Sequence, residues 1–236
     1  MKYFGSYITE IFERSYPWRL FNSGDGPYWD YLFDTVKPAG STEWQPDPGP
    51  KFTPAPRSIA TTNTINLQYR QANPGIRQRI KVEFTQYRGT TAFEAMRRIN
   101  RGLKGKRIAL PVMESLWELG FATFIDTDGT GFDAGTDDDL GGDNTAHVTR
   151  VFGTIIEIVK DFRNRKKPVG VFWGTKPNAR SVRSVIYTTI AKRLASTMGA
   201  KLYPMPSPRP EMANCTLAWW GDGEPWETVK KANLKS

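Results

Sequence analysis

Residues 144–203, NTAHVTRVFGTIIEIVKDFRNRKKPVGVFWGTKPNARSVRSVIYTTIAKRLASTMGAKLY, read almost without a gap as helix, strand, helix and strand. Asn144 and Thr145 can cap a helix whose apolar positions Val148, Val151, Phe152, Ile155, Val159 and Phe162 fall at steps of three and four. Residues 169–173, with Gly170 inside them, read as a short buried strand. Ser181 opens a second helix with Val182, Val185, Ile186, Ile190, Leu194 and Met198 on one face, Gly199 stops it, and residues 200–203 follow as a strand. This alternation predicts an α/β (α+β) fold, an open mixed sheet flanked by helices.

Upstream, residues 116–125 form a good strand and lead into an Asp- and Gly-rich loop before the first of these helices. In residues 77–87 Ile80, Val82 and Phe84 alternate with Arg79, Lys81 and Glu83, the period of a half-buried strand. Residues 65–69 also read as a strand and 91–101 as a short helix. Residues 16–36 are rich in aromatic side chains without clear periodicity, which predicts a packed irregular segment with one strand near 28–33. Residues 38–56 hold six prolines and two glycines and read as an irregular excursion or extended linker. The expected organisation is an amphipathic segment over 1–15, then a single domain over 16–236 with its core at 110–220.

The chain has 236 residues, 39% of them hydrophobic and 13% aromatic, enough to bury a core. No apolar run approaches the roughly 18–20 residues of a membrane span. Lys2, Glu10, Glu13 and Arg14 interrupt the N-terminal stretch where a signal peptide would be apolar, so an intracellular setting with no membrane partner is expected. With Cys215 the single cysteine and His147 the single histidine, intrachain disulfides and Cys/His metal clusters are excluded. A Ser or Cys triad would depend on His147, whose other readings are a helix-surface or capping position.

The net charge of +9 is segregated. Residues 144–203 hold twelve Lys and Arg against Glu157 and Asp161. Arg163, Arg165, Lys166 and Lys167 crowd the end of the first helix, and Arg180, Arg183, Lys192 and Arg193 lie on or beside the second. A second basic block, Arg97, Arg98, Arg101, Lys104, Lys106 and Arg107, falls within residues 77–107. Asp126, Asp128, Asp133, Asp137, Asp138, Asp139 and Asp143 make an acidic stretch between the two. Such segregation suits a polyanion, DNA or an acidic protein, as partner. Trp173, Tyr187, Tyr203, Trp219, Trp220 and Trp226 sit near the basic helices, where they could stack on bases or pack into the core.

Two stretches resemble tailed-bacteriophage proteins. Residues 1–10, MKYFGSYITE, resemble the capsid-targeting leader of internal head proteins in T-even-like phages, whose protease cuts after a hydrophobic-x-Glu triplet; Ile8, Thr9 and Glu10 match it. Residues 117–203 resemble a family of small phage proteins of unassigned role, whose order of elements is similar to the core of the GNAT acetyltransferases. That resemblance implies a glycine-rich turn, here Gly141, Gly142 and Asn144, at a helix N-terminus that holds the pyrophosphate of acetyl-CoA, and Tyr187 as general acid. The chain departs from the pattern at Asp139 and Asn144, and Asp137, Asp138, Asp139 and Asp143 would repel a pyrophosphate. A GNAT-like scaffold put to non-catalytic use is therefore the expectation: a phage accessory or virion protein docking on phage structural protein or packaged DNA. It would act in the host cytoplasm or the virion, with the acetyltransferase as the alternative.

A further stretch, FIDTDGT at 124–130, resembles the first motif of haloacid-dehalogenase-like phosphatases. It implies Asp126 as nucleophile and Asp128 as general acid, sharing Mg2+. Thr175, Lys192 or Lys201, and Asp222 with Glu227 would complete that site.

Overall fold

The computed structural model describes residues 15–24, 26–49, 58–128, 132–134, 145–175, 191–193, 195–210 and 212–228. In chain order these form β1 (Arg19–Asn22), β2 (Tyr28–Pro38), β3 (Gln45–Pro46), α1 (Ile59–Ala72), β4 (Gly75–Gln86), α2 (Gly89–Gly102) and β5 (Lys106–Arg107). There follow α3 (Leu110–Ser115), β6 (Leu116–Asp126), β7 (Asp133–Ala134), α4 (Thr145–Lys166), β8 (Gly170–Thr175), β9 (Lys201–Met205), β10 (Ala213–Trp219) and β11 (Glu227–Thr228). Residues 191–193 and 195–198 are helical too.

Nine of the described strands make one open sheet in the order β1-β2-β4-β6-β8-β10-β9, with β3 added to β2 and β7 to β6. β6 and β8 are parallel, Leu116 opposite Gly170 and Glu118 opposite Phe172, an arrangement that the long crossover through α4 permits. β10 is antiparallel to both β8 and β9 and so lies between them. The mixed α+β class expected from the alternation of elements is what the chain adopts.

Most elements fall where the sequence places them: α4, β8, β9, β6, β4, α2 and the strand within the aromatic segment. Residues 65–69 are a correction. They lie inside helix α1, whose N-terminus is capped by Ser58 Oγ accepting from the Thr61 N–H at 3.2 Å. Apolar residues at 65, 67 and 69 mimic a strand's period, yet Leu67 is 42% exposed and α1 buries little, so its own period leaves no mark. The N-terminal 1–14, residues 50–56 of the Pro-rich stretch, and residues 181–190 and 194 of the second helix lie outside the described residues. No helix among the described residues is long and apolar enough to cross a membrane.

The chain divides into two compact units, the first of residues 1–21, 30–82 and 121–158, the second of 22–29, 83–120 and 159–236. In the first, ion pairs link β2 and β4: Asp34 pairs with Arg79 at 2.7 Å and Asp30 with Lys81 at 3.3 Å. Two residues apart on β4, Arg79 and Lys81 share one face, while Ile80 and Val82 are fully buried on the other. In the second unit Ala92, Ala95 and Ile99 of α2 close over Leu116, Phe172, Leu217 and Trp219. Gly170 is required there, because a Cβ would stand 2.8 Å from Leu116 Cδ2 and 3.0 Å from Leu217 Cδ1.

Candidate polyanion-docking surface

The end of α4 gathers four cations. Arg163 lies over the Trp220 ring at 5.0 Å, and that ring is itself held by its Nε1–H donating to the Met198 carbonyl at 2.9 Å. Lys166 lies 4.3 Å over the Trp29 ring and donates to the Gly24 carbonyl at 2.8 Å. Both contacts limit the freedom of side chains that would otherwise be mobile, so their charge is positioned before any partner arrives. Arg165 is exposed and pairs with Asp161 one turn back at 2.7 Å, a surface contact of small energy that a competing anion can displace. Lys167 is exposed beyond the helix.

Lys167 also closes α4, its N–H donating to the Arg163 carbonyl at 2.9 Å from a left-handed φ of 48°. Glycine is the usual residue there, because a Cβ makes this conformation cost about 1 kcal/mol. The helix dipole accounts for some of the attraction of cations to this end. It does not account for a lysine at the left-handed position, where glycine would satisfy the same carbonyl.

Lys192 is exposed and Arg193 half-buried, while Arg180 and Arg183 lie outside the described residues. Of the aromatic residues considered for stacking, Trp173 and Trp219 are 1% and 6% exposed and belong to the core. Tyr203 packs edge-on to Trp226 at 6.1 Å. Trp29 and Trp220 already carry a cation each, so this surface presents charge instead of bare rings.

Gly141, Gly142 and Asn144 of the expected pyrophosphate turn, and Tyr187, lie outside the described residues. Asp126, at the end of β6, has a fully buried side chain 3.3 Å from Arg70 Nη1. A nucleophile shared with Mg2+ must meet a phosphate in an open cleft, and this buried carboxylate instead pairs with a partly exposed guanidinium; the arrangement does not fit that group. Phe132 sits beneath both Arg70 and Arg79, at 4.9 and 4.5 Å. Asp128 is exposed. Glu227 is engaged with Arg107 at 3.0 Å. Among the described residues no three His, Cys, Asp or Glu side chains group as metal ligands.

His147 is not a surface residue. It is 2% exposed, its Nε2 lies 2.8 Å from Gln78 Oε1, and Trp44 stacks on it at 4.3 Å. Burial, with Arg150 nearby, lowers its pKa to about 3 and keeps it neutral. Cys215 is buried on β10 and its thiol is pushed up to about 11 by burial, which leaves it unreactive.

Sequence reasoning named the four cations of α4 but missed the two rings that hold them. Trp29 sits in the aromatic segment without periodicity, and nothing local marks it as the partner of Lys166. Comparison with protein-family models, with curated proteins and with solved structures gives no match to this chain.

Proposed function

We propose that this chain is a bacteriophage-encoded accessory or virion-associated protein without turnover chemistry, docking on packaged DNA through the basic end of α4. The observation that carries the reading is the pair of cations fixed on tryptophan faces, Arg163 on Trp220 and Lys166 on Trp29, beside exposed Arg165 and Lys167. With the rings covered, contact goes to phosphates and not to bases, so binding is independent of sequence. The phage assignment rests on the resemblances of residues 1–10 and 117–203. It sets the action in the host cytoplasm during infection and in the virion.

Titrating a fluorescent duplex with the protein tests the docking. Saturable binding is expected, weakening about a hundredfold between 50 and 200 mM salt if about four phosphates are neutralised. No binding at low salt would remove DNA as the partner, and binding to a phage structural protein in its place would move the site's role to protein docking. Absence of the protein from purified virions would remove the virion half of the reading.

A second reading, an acetyl-CoA-dependent acetyltransferase, is favoured by one feature: β6, α4 and β8 come in the strand, helix, strand order that the GNAT resemblance implies, with the short β7 between β6 and α4 and with β6 parallel to β8. Calorimetric titration with acetyl-CoA separates the two. Saturable one-to-one binding lost in Gly142→Trp would support the enzyme, and no heat or thermal stabilisation would count against it.

A further inference from the structure

We infer that α2 carries a second phosphate-docking face on the other side of the sheet, so that one chain bridges two duplex segments. The inference rests on the DNA reading of the α4 end and adds to it. Through Ala92, Ala95 and Ile99 the helix is seated on the core of the second unit. Its opposite side presents Arg97, Arg98 and Arg101, and Lys104 follows just past its end, all exposed. Phe93, Arg97 and Arg101 recur at steps of four, a single stripe along the helix, and Lys104 lies two residues beyond its last turn. Glu94 is the acidic residue of α2, and among the described residues none of these four cations has an ion-pair partner.

The neighbouring cations behave differently. Lys106 and Arg107 are taken up by Glu224 at 2.8 Å and Glu227 at 3.0 Å, so local acids neutralise the end of this basic block but not the stripe. Arg97 is held 5.9 Å from the Phe93 ring, and Phe93 is itself 46% exposed. Three uncompensated cations on a helix that is anchored from behind, with a fourth just past its end, match a phosphate backbone by charge.

The two basic faces point apart because strand residues alternate. Leu116 of β6 joins the cluster under α2, while its neighbour Trp117 meets Phe162 of α4 edge-on at 5.1 Å. α2 and the end of α4 therefore cover opposite faces of the sheet within this unit. A single duplex lying on one face leaves the other free for a second.

The experiment uses two linear duplexes, one biotinylated and held on beads, one fluorescent and free. The full-length protein is expected to bring the fluorescent duplex to the beads. The variant Arg97→Ala/Arg98→Ala/Arg101→Ala/Lys104→Ala should bind a single duplex within about threefold of the parent yet lose at least about tenfold in capture. All four side chains are exposed and Ala favours helix at the three positions within α2, so the variant should fold, and circular dichroism checks this. The single change Arg101→Glu should show a smaller loss in the same direction. Capture undiminished in the four-fold variant would overturn the inference, and would trace bridging to self-association through the α4 end. Single-duplex binding by the parent without capture would also overturn it while sparing the DNA reading. No single-duplex binding at all would overturn both.

Discussion

The Tyr16 hydroxyl lies 2.8 Å from Nδ1 of His147, 131 residues away in sequence, and the bond is buried. Gln78 Oε1 only accepts, so Nε2 of His147 carries the proton toward it and Nδ1 accepts from Tyr16. Tyr16 also stacks on Phe33 at 6.1 Å, with Arg150 4.1 Å over its ring, and its backbone N–H donates to Thr154 Oγ1 at 2.8 Å. Burial raises its hydroxyl pKa to about 12. The start of the described chain is thus pinned to α4 by a neutral polar network.

That network should make the first unit acid-sensitive. With a pKa near 6.5 when unfolded and about 3 when folded, His147 takes up its proton preferentially in the unfolded state between these values. Its neutral bonding is fully stabilising above about pH 6.5 and is lost as pH falls through the window, by at most about 1.4 kcal/mol per pH unit. His147→Ala should cost about 3 kcal/mol at pH 7.5 through the cavity and the lost acceptor. Urea unfolding at pH 7.5 and 5 should show the gap between parent and variant narrowing by about 2 kcal/mol. A gap independent of pH would contradict the assignment.

Asp126 is expected to be structural. Asp126→Asn leaves Arg70, 17% exposed at its side chain, facing a neutral group, and should destabilise by on the order of 3 kcal/mol. The double change Arg70→Met/Asp126→Leu should recover most of that loss, since no charge remains buried. Failure to recover would mean that Asp126 supports something other than Arg70.

Gly170→Ala should destabilise by on the order of 1–3 kcal/mol, although alanine usually suits a strand better than glycine. The added methyl would press on Leu116, Leu217 and Trp219 in a closed core. A neutral or stabilising result by thermal melting would mean that this core is looser than its burial indicates.

The residues that were legible in advance are those whose burial follows a period. Ile80, Val82 and Phe84 on β4, and the face of α4 from Val151 to Phe162, are buried as their spacing requires. α1 carries no such period, because it buries little and only the Ser58 cap marks its start. β10, with Cys215, Leu217, Ala218 and Trp219 all buried, lacks the alternation that announces a half-exposed strand. His147 looked like a surface residue because the rings that bury it, Tyr16 and Trp44, come from stretches without periodicity. The cations of the docking surface were visible as composition; that Lys166 and Arg163 are held on rings is a tertiary fact.

Lys167→Gly should separate stability from docking. Removing the Cβ from a left-handed position should stabilise the chain by about 0.5–1 kcal/mol. The same change should weaken duplex binding several-fold at low salt, because one phosphate contact is lost. Stabilisation without loss of binding would show that the lysine's charge is not used.

The most direct measurement of the central claim is the slope of log affinity against log salt for a short duplex, taken with the α2 cations replaced so that the α4 end reports alone. Arg165→Ala/Lys167→Ala should lower the magnitude of that slope by about 1.8, equally for unrelated duplex sequences. An unchanged slope, or an affinity that depends on base sequence, would contradict docking through the end of α4.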